Sequence, residues 1–277
     1  MFEIKTMSLV DLETTLGWAA NEGWNPGLDD AKAFLKADPH GFLMGWLDGK
    51  PVAAISVVKH SKTYGFLGLY LCHPDYRGHG YGWALWQAGL RYLGDRTIGL
   101  DGVLAQQDNY RKSGFEPAYS TTRFSGAILG ASHQKFVMAT TEMLPAIANY
   151  SAIITGAESP NYCNAWHTNT PERQTLIGLA GDKISSLGTI RACQEGHKIG
   201  PLYAKDRNDA EPLLKALVAR MSASSISVDA PDTNAEAQEI LAALGMKPVF
   251  STARMYNGTF PKQAVASLFG SATLELG

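Results

Sequence analysis

The sequence predicts an α/β (α+β) chain of two tandem domains, each a mixed, mostly antiparallel sheet flanked by helices. Three observations carry this expectation. Strand-like runs interleave with helical periodicity through the first half. An apolar run at 66–71, "FLGLYL", leads through a glycine-rich turn, "HPDYRGHGYG" (73–82), into a helical stretch. And "GFEPAYSTTRFSG" (114–126) returns near the end as "GMKPVFSTARMYNG" (245–258).

The elements follow in order. "FEIKTMS" alternates and reads as a strand. Two helices are expected around 9–21 and 28–37, separated by "EGWNPG", where Asn25, Pro26 and Gly27 break the pattern. "GFLMGWLDGKPVAAISVV" predicts a hairpin turning at "DGKP". "TYGFLGLYLC" is mostly apolar and is expected to be a central strand. After the glycine turn, "WALWQAGLRYL" puts Trp86, Leu90 and Leu93 on one helical face. "TIGLDGV" is a short strand, "LAQQDNYRKS" a short helix with Gly114 placed to end it, and "FEPAYSTTRF" one or two strands.

The second half repeats the scheme more faintly. Gly114 matches Gly245, Pro117 matches Pro248, Ser120 matches Ser251, Thr121 matches Thr252 and Arg123 matches Arg254, always 131 positions apart. "NAEAQEILAAL" mirrors the short helix, with Ala237, Ile240, Leu241 and Leu244 on one face, and "TLIGLAGDKISSLGTIRA" mirrors the hairpin. Such self-similarity points to a duplicated domain rather than a solenoid. The boundary is expected near "SGAILGASHQ", giving domains 1–127 and 128–277.

Composition narrows the function. With 45% hydrophobic and 18% charged residues, the chain can build a core. A formal charge of −2 and the lack of a basic block argue against nucleic acid or a membrane surface as main partner; an oligomer is left open. "MFEIKTMSLVDLE" carries acids where a signal peptide needs an apolar core. Cys72, Cys163 and Cys193 form no disulfide framework, so a reducing, cytoplasmic setting is expected. The histidines show no metal-ligand spacing, and no metal is expected.

The glycine turn admits three readings. A P-loop needs a lysine that is missing here. A dinucleotide fingerprint needs G-x-G-x-x-G, whereas Gly78, Gly80 and Gly82 give G-x-G-x-G. The third takes Arg77 into the motif as R-x-x-G-x-G. Glycines let the backbone approach a diphosphate, the next helix offers unpaired N–H groups, and Arg77 adds a fork of donors.

On these residues the sequence resembles the GNAT acyltransferases, whose signature is [Q/R]-x-x-G-x-[G/A] after a strand ending V-x-P; here that strand ends Cys72-His73-Pro74. "EGWNPG", "LDGV" and "NYRKSGF" further resemble a bacterial subgroup with a second GNAT-like half. The resemblance implies that Arg77, Gly78, His79, Gly80, Tyr81 and Gly82 hold the pyrophosphate of acetyl-CoA. It implies that Tyr70, Leu71 and Cys72 pair with the pantetheine arm, and that backbone N–H groups near Leu71 and Cys72 meet the thioester oxygen. Tyr110, four residues before Gly114-Phe115, matches the family's acid for the leaving thiolate. Many relatives have an asparagine where this chain has Val103; Gln106 or Gln107 is expected to substitute. Cys72 reads as packing rather than as a nucleophile.

A base is harder to place. Glu22, in the loop that lines the acceptor side in the family, and Asp101 are the candidates, with His60 and His73 behind them. Glu22, Trp24 and Asn25 are expected to shape the acceptor pocket. At the repeat offset, Asp209, Glu211 and Leu213 fall on Gly78, Gly80 and Gly82. The second half is thus expected to have lost CoA binding, and to close the sheet, wall the pocket or sense a ligand. The leading expectation is an N-acyltransferase moving acetyl from acetyl-CoA to a small primary amine. The rivals are a non-catalytic acyl-CoA sensor or scaffold, and a protein or peptide N-acetyltransferase.

Overall fold

The computed structural model describes residues 1–277. The first half runs β1 (Phe2–Thr6), α1 (Leu9–Asn21), α2 (Asp30–Ala37), β2 (Phe42–Leu47), β3 (Lys50–Lys59), β4 (Tyr64–Cys72), α3 (Tyr81–Leu93), β5 (Thr97–Val103), α4 (Gln107–Arg111) and β6 (Glu116–Gly126). The second runs β7 (Phe136–Met138), α5 (Leu144–Thr155), α6 (Pro160–His167), β8 (Arg173–Ala180), β9 (Lys183–Ala192), β10 (His197–Ala204), α7 (Arg207–Arg220), β11 (Ile226–Pro231), α8 (Ala235–Ala243), β12 (Lys247–Asn257) and β13 (Leu268–Gly270).

Local chemistry explains the boundaries. Ser8 and Asp11 form a capping box that starts α1 at Leu9. The second helix starts at Asp30 rather than 28, because Leu28 N donates to Ala192 O and Gly27 bridges Cys193. The two residues are drawn out of the helix by the second half. α3 begins directly after Gly80 and turns Leu85, Trp86 and Leu93 onto the sheet, each burial contributing about 1.5–3 kcal/mol. The stretch "KDRNDAEPLL" (205–214), which holds Asp209, Glu211 and Leu213, is helical from Arg207 onward. Asp206 caps α7 by accepting from Asn208 N (2.9 Å), and the helix runs through the positions that match the glycines.

All strands join in one sheet of order β1-β2-β3-β4-β5-β12-β6-β11-β10-β9-β8-β7, with β13 on β10. The last long strand of each half is therefore exchanged. β12 lies between β5 and β6, and β6 lies between β12 and β11. The two copies of the sequence repeat are these two strands, running antiparallel side by side at the centre. Thr121 faces Thr252, its own counterpart across the repeat. Two ion pairs follow the same pattern. Arg123 on β6 grips Asp229 on β11 (2.7 and 2.9 Å), and Arg254 on β12 grips Asp101 on β5 (2.8 and 2.6 Å). Each joins one half to the other.

In each half a parallel strand pair splays apart. β4 and β5 pair only from Tyr64–Leu67 to Thr97–Leu100, and β10 and β11 only from His197–Ile199 to Ile226–Val228. The second opening is filled from within. β13 pairs with β10 at Leu202 and Tyr203, and Ser271 N donates to Asp229 O (2.8 Å). The first opening is the cavity described next. No helix is long and apolar enough to cross a membrane.

Candidate active site

A cavity of about 610 Å³ occupies the splay between β4 and β5, a size that suits a small-molecule site. Beyond Leu67, β4 has no β5 partner, so Gly68 to Cys72 line the cavity along an unpaired strand edge. Within this edge Leu69 takes a positive φ of 44°, and the pairing with β3 slips between Ala54 and Ser56. This bulge costs on the order of 1–2 kcal/mol for a branched residue and re-aims the strand at the site.

The glycine turn stands at the mouth. Gly78 and Gly80 have φ of 80° and 83°, and an added Cβ at either would meet nothing within 4 Å. The turn thus has a backbone that L side chains resist and open space over it. Gly80 caps α3, whose first N–H groups point out of the helix. His79 stacks on Tyr81, with its Nδ1 2.9 Å from Arg77 O. Arg77 and Trp83 carry this end onto the cavity wall. Arg77 Nε donates to Cys72 O (3.0 Å) and its Nη2 to the Glu22 carboxylate. The residues fit an acyl-CoA: an N-terminal helix end and a guanidinium for phosphate, then a slot walled by Leu67, Leu71, Leu100 and Trp86 for a thin apolar arm.

Tyr110 lies deeper in the same cavity. Its ring stacks on Trp86 at 5.6 Å and 20°, and Trp86 is fixed by donating to Ser113 Oγ (3.1 Å). Burial raises the Tyr110 phenol above its ordinary value, which keeps it protonated. Burial, followed by Tyr110, pushes Tyr70 up to about 12. Burial likewise raises the Cys72 thiol, against the pull of Arg77, so it is a poor nucleophile. Gln106 lines the wall, its Oε1 accepting from Asn109 Nδ2 (2.6 Å). Asn109 also lines the wall and escaped the sequence reading, although it sits directly before Tyr110.

The opposite side of the cavity is built by both halves. Trp24 lines it, and its carbonyl accepts from Lys198 Nζ (2.7 Å) and Arg123 Nη1 (3.2 Å). Asn25 does not line the cavity. Its amide exchanges hydrogen bonds with the Glu195 backbone (2.8 and 3.1 Å), pinning the loop to the second half. Glu22 and Asp101 both line it, but Glu22 is paired with Arg77, and both Asp101 oxygens accept from Arg254. His60 and His73 are off the cavity. Burial holds His60 neutral, lowered to about 4, with its Nε2 2.7 Å from Leu276 O. Phe250, Thr252, Leu274 and Glu275 complete the wall from the second half. Nothing in their local sequence announces them, apart from the repeat containing Phe250 and Thr252. No group of three or more His, Cys, Asp or Glu side chains is arranged to hold a metal.

Comparison with known proteins agrees with this geometry. Residues 9–115 match the acetyltransferase (GNAT) family, and residues 154–270 match an acetyltransferase (GNAT) domain. The chain is 30% identical over 281 aligned positions to a holothin acyltransferase of Pseudoalteromonas sp. (strain SANK 73390), covering 99% of this chain and 94% of that one. A putative acetyltransferase from Pyrococcus horikoshii superposes with a TM-score of 0.82 at 20% identity, over 100% and 96% of the two chains. A tandem GNAT protein from the clavulanic acid biosynthesis pathway superposes with a TM-score of 0.63 at 14% identity, over 94% and 99%. These last two likenesses concern the fold.

Proposed function

The chain belongs to the GNAT acyltransferase family, and on that premise we propose that it uses acetyl-CoA to acetylate a primary amine of a small molecule by direct transfer. One observation carries the reading: a single cavity joins Arg77 and Trp83, which flank the glycine turn at the start of α3, to the unpaired edge of β4 and to Tyr110. Those are the parts that thioester aminolysis needs, in the order that a CoA thioester would present them.

The roles follow from chemistry. The turn and Arg77 neutralise pyrophosphate charge, for which Arg77 must leave Glu22. The backbone N–H groups of β4 between Leu69 and Cys72 stabilise the charge that develops on the thioester oxygen. Tyr110 gives a proton to the departing thiolate, a transfer that a buried, protonated phenol is suited to make. Trp24, Phe250 and Leu274 wall the acceptor side closely, which favours a compact acceptor over a peptide.

In the same reading, residues 1–127 are the catalytic half and 128–277 a half that keeps the fold without a CoA site, because β13 fills its cleft. Three free cysteines suit a cytoplasmic setting. A thiol-release assay with acetyl-CoA against amines, amino acids and peptides tests the proposal. Release that depends on a small amine is expected. Tight acetyl-CoA binding with no release against any acceptor would turn the reading to a sensor or scaffold. Release with peptides alone would turn it to a peptide N-acetyltransferase.

A further inference from the structure

The C-terminal tail reaches from one half into the other. β13 lies in the second cleft, and the chain then runs onto β3 and β4 of the first half. Ser56 Oγ donates to Glu275 O (3.2 Å), His60 Nε2 meets Leu276 O, and Thr273 Oγ1 accepts from Glu275 N and Leu276 N (3.2 and 2.9 Å). The Glu275 carbonyl also presses on Gly68, where a Cβ would collide with it. The backbone at Glu275 is therefore fixed, and the residue lies on the cavity wall beside the strand edge assigned to the thioester.

Glu275 is only 4% exposed, yet its Oε2 has no hydrogen-bond partner. A buried carboxylate oxygen left without a donor is costly, and such a group is often functional. Its neighbours are all committed. Glu22 is held by Arg77 and Asp101 by Arg254, so Glu275 is the one cavity carboxylate without a cation bound to it. The nearby cations have other partners: Arg123 grips Asp229, Lys198 donates to Trp24 O, and Arg191 is paired with Asp30 (3.3 Å).

Resting on the transferase reading above, we infer that Glu275 receives the acceptor amine, binding it through Oε2 and taking its proton during transfer. The amine nitrogen forms a bond to the thioester carbon and the carbon–sulfur bond breaks. One nitrogen proton passes to the Glu275 carboxylate, and the thiolate takes a proton from Tyr110. Solvent returns the proton from Glu275 to the phenolate. The sum is amine plus acetyl-CoA giving amide plus CoA thiol, with no other reactant. The second half, having no CoA cleft of its own, thereby contributes a catalytic residue to the first.

The test uses the full chain and a panel of aliphatic and aromatic primary amines, read by thiol release and by calorimetric amine binding. For an amine the wild type acetylates, Glu275→Gln should lower kcat/KM by about 100-fold or more while acetyl-CoA affinity stays within about threefold. Glu275→Asp should retain about a tenth of the activity, which a purely structural role would not rank in this way. Should thermal melting show the Gln variant unfolded, the Asp variant carries the same test through its kcat and acetyl-CoA affinity. A Gln or Asp variant within threefold of wild type would overturn the assignment and leave the transferase reading standing. Amine binding that is lost in Glu275→Gln, in a wild type that acetylates nothing, would support the site and remove the transferase reading. A wild type that neither binds nor acetylates any amine overturns both.

Discussion

At the scale of single residues, burial shifts the titration of groups both in the cavity wall and away from it. Tyr110 is the clearest case. Its phenol is raised above the ordinary value of about 10, so it is protonated throughout the neutral range. We expect Tyr110→Phe to lower kcat by about 10²-fold or more with acetyl-CoA affinity little changed, read by steady-state kinetics and calorimetry. An unchanged kcat where chemistry limits the rate would remove its acid role. His60 is held neutral by burial, near 4 against about 6.5 when unfolded. A folded pKa below the unfolded one gives stability that is complete above about 6.5 and is lost as pH falls towards 4. Each such group contributes a slope of about 1.4 kcal/mol per pH unit in that window. His167, lowered to about 3, acts in the same direction. Denaturant titrations between pH 7 and 4 should show this acid slope, and His60→Phe should reduce it by about one histidine's share. A variant with the wild-type slope would show that His60 does not titrate on unfolding.

At the scale of elements, the glycine turn and its counterpart α7 show what sequence reasoning could and could not reach. The turn's backbone was legible because positive φ at Gly78 and Gly80 leaves a composition that can be read directly. Tyr110 was legible through its fixed distance from Gly114-Phe115. Glu275 was not, because its place in the cavity comes from a tail that meets β3 and β4 across more than two hundred residues of chain. Nor was the filling of the second cleft by β13, a three-residue strand with no period to detect. At the positions that match the glycines a capped helix stands where the first half has a turn, and a strand lies in the second cleft. Two measurements on one element follow. Gly80→Glu places a carboxylate and a strained backbone, costing about 1–2 kcal/mol, where phosphate should sit. It should reduce acetyl-CoA binding to undetectable levels in calorimetry while the fold survives. The wild type should titrate with one acetyl-CoA per chain; two tight sites would mean that β13 leaves its cleft.

At the scale of the whole molecule, the repeat that was visible at 114–126 and 245–258 marks the place where the two halves are least separable. Those segments are β6 and β12, exchanged at the centre of one sheet, with counterparts Thr121 and Thr252 facing each other. Both copies pair with each other as well as with the partner half, so a change in one meets the other. The ion pairs Arg123–Asp229 and Arg254–Asp101 lock this arrangement, each joining the halves and each almost wholly buried. Losing one partner of such a pair leaves a lone buried charge and costs about 3–5 kcal/mol, whereas replacing both by apolar residues costs much less. Arg254→Met should therefore lower the melting temperature sharply, and adding Asp101→Leu should restore much of the loss. Because Asp101 lines the cavity on β5 and Arg254 belongs to β12, the Arg254→Met melt should remain a single transition. Fluorescence weighted to the Trp86 side and far-UV circular dichroism of the whole chain should shift together. Two separated transitions would mean that the halves unfold independently in spite of the exchanged strands, and the cavity wall supplied by the second half would then be a docked surface rather than part of one cooperative unit.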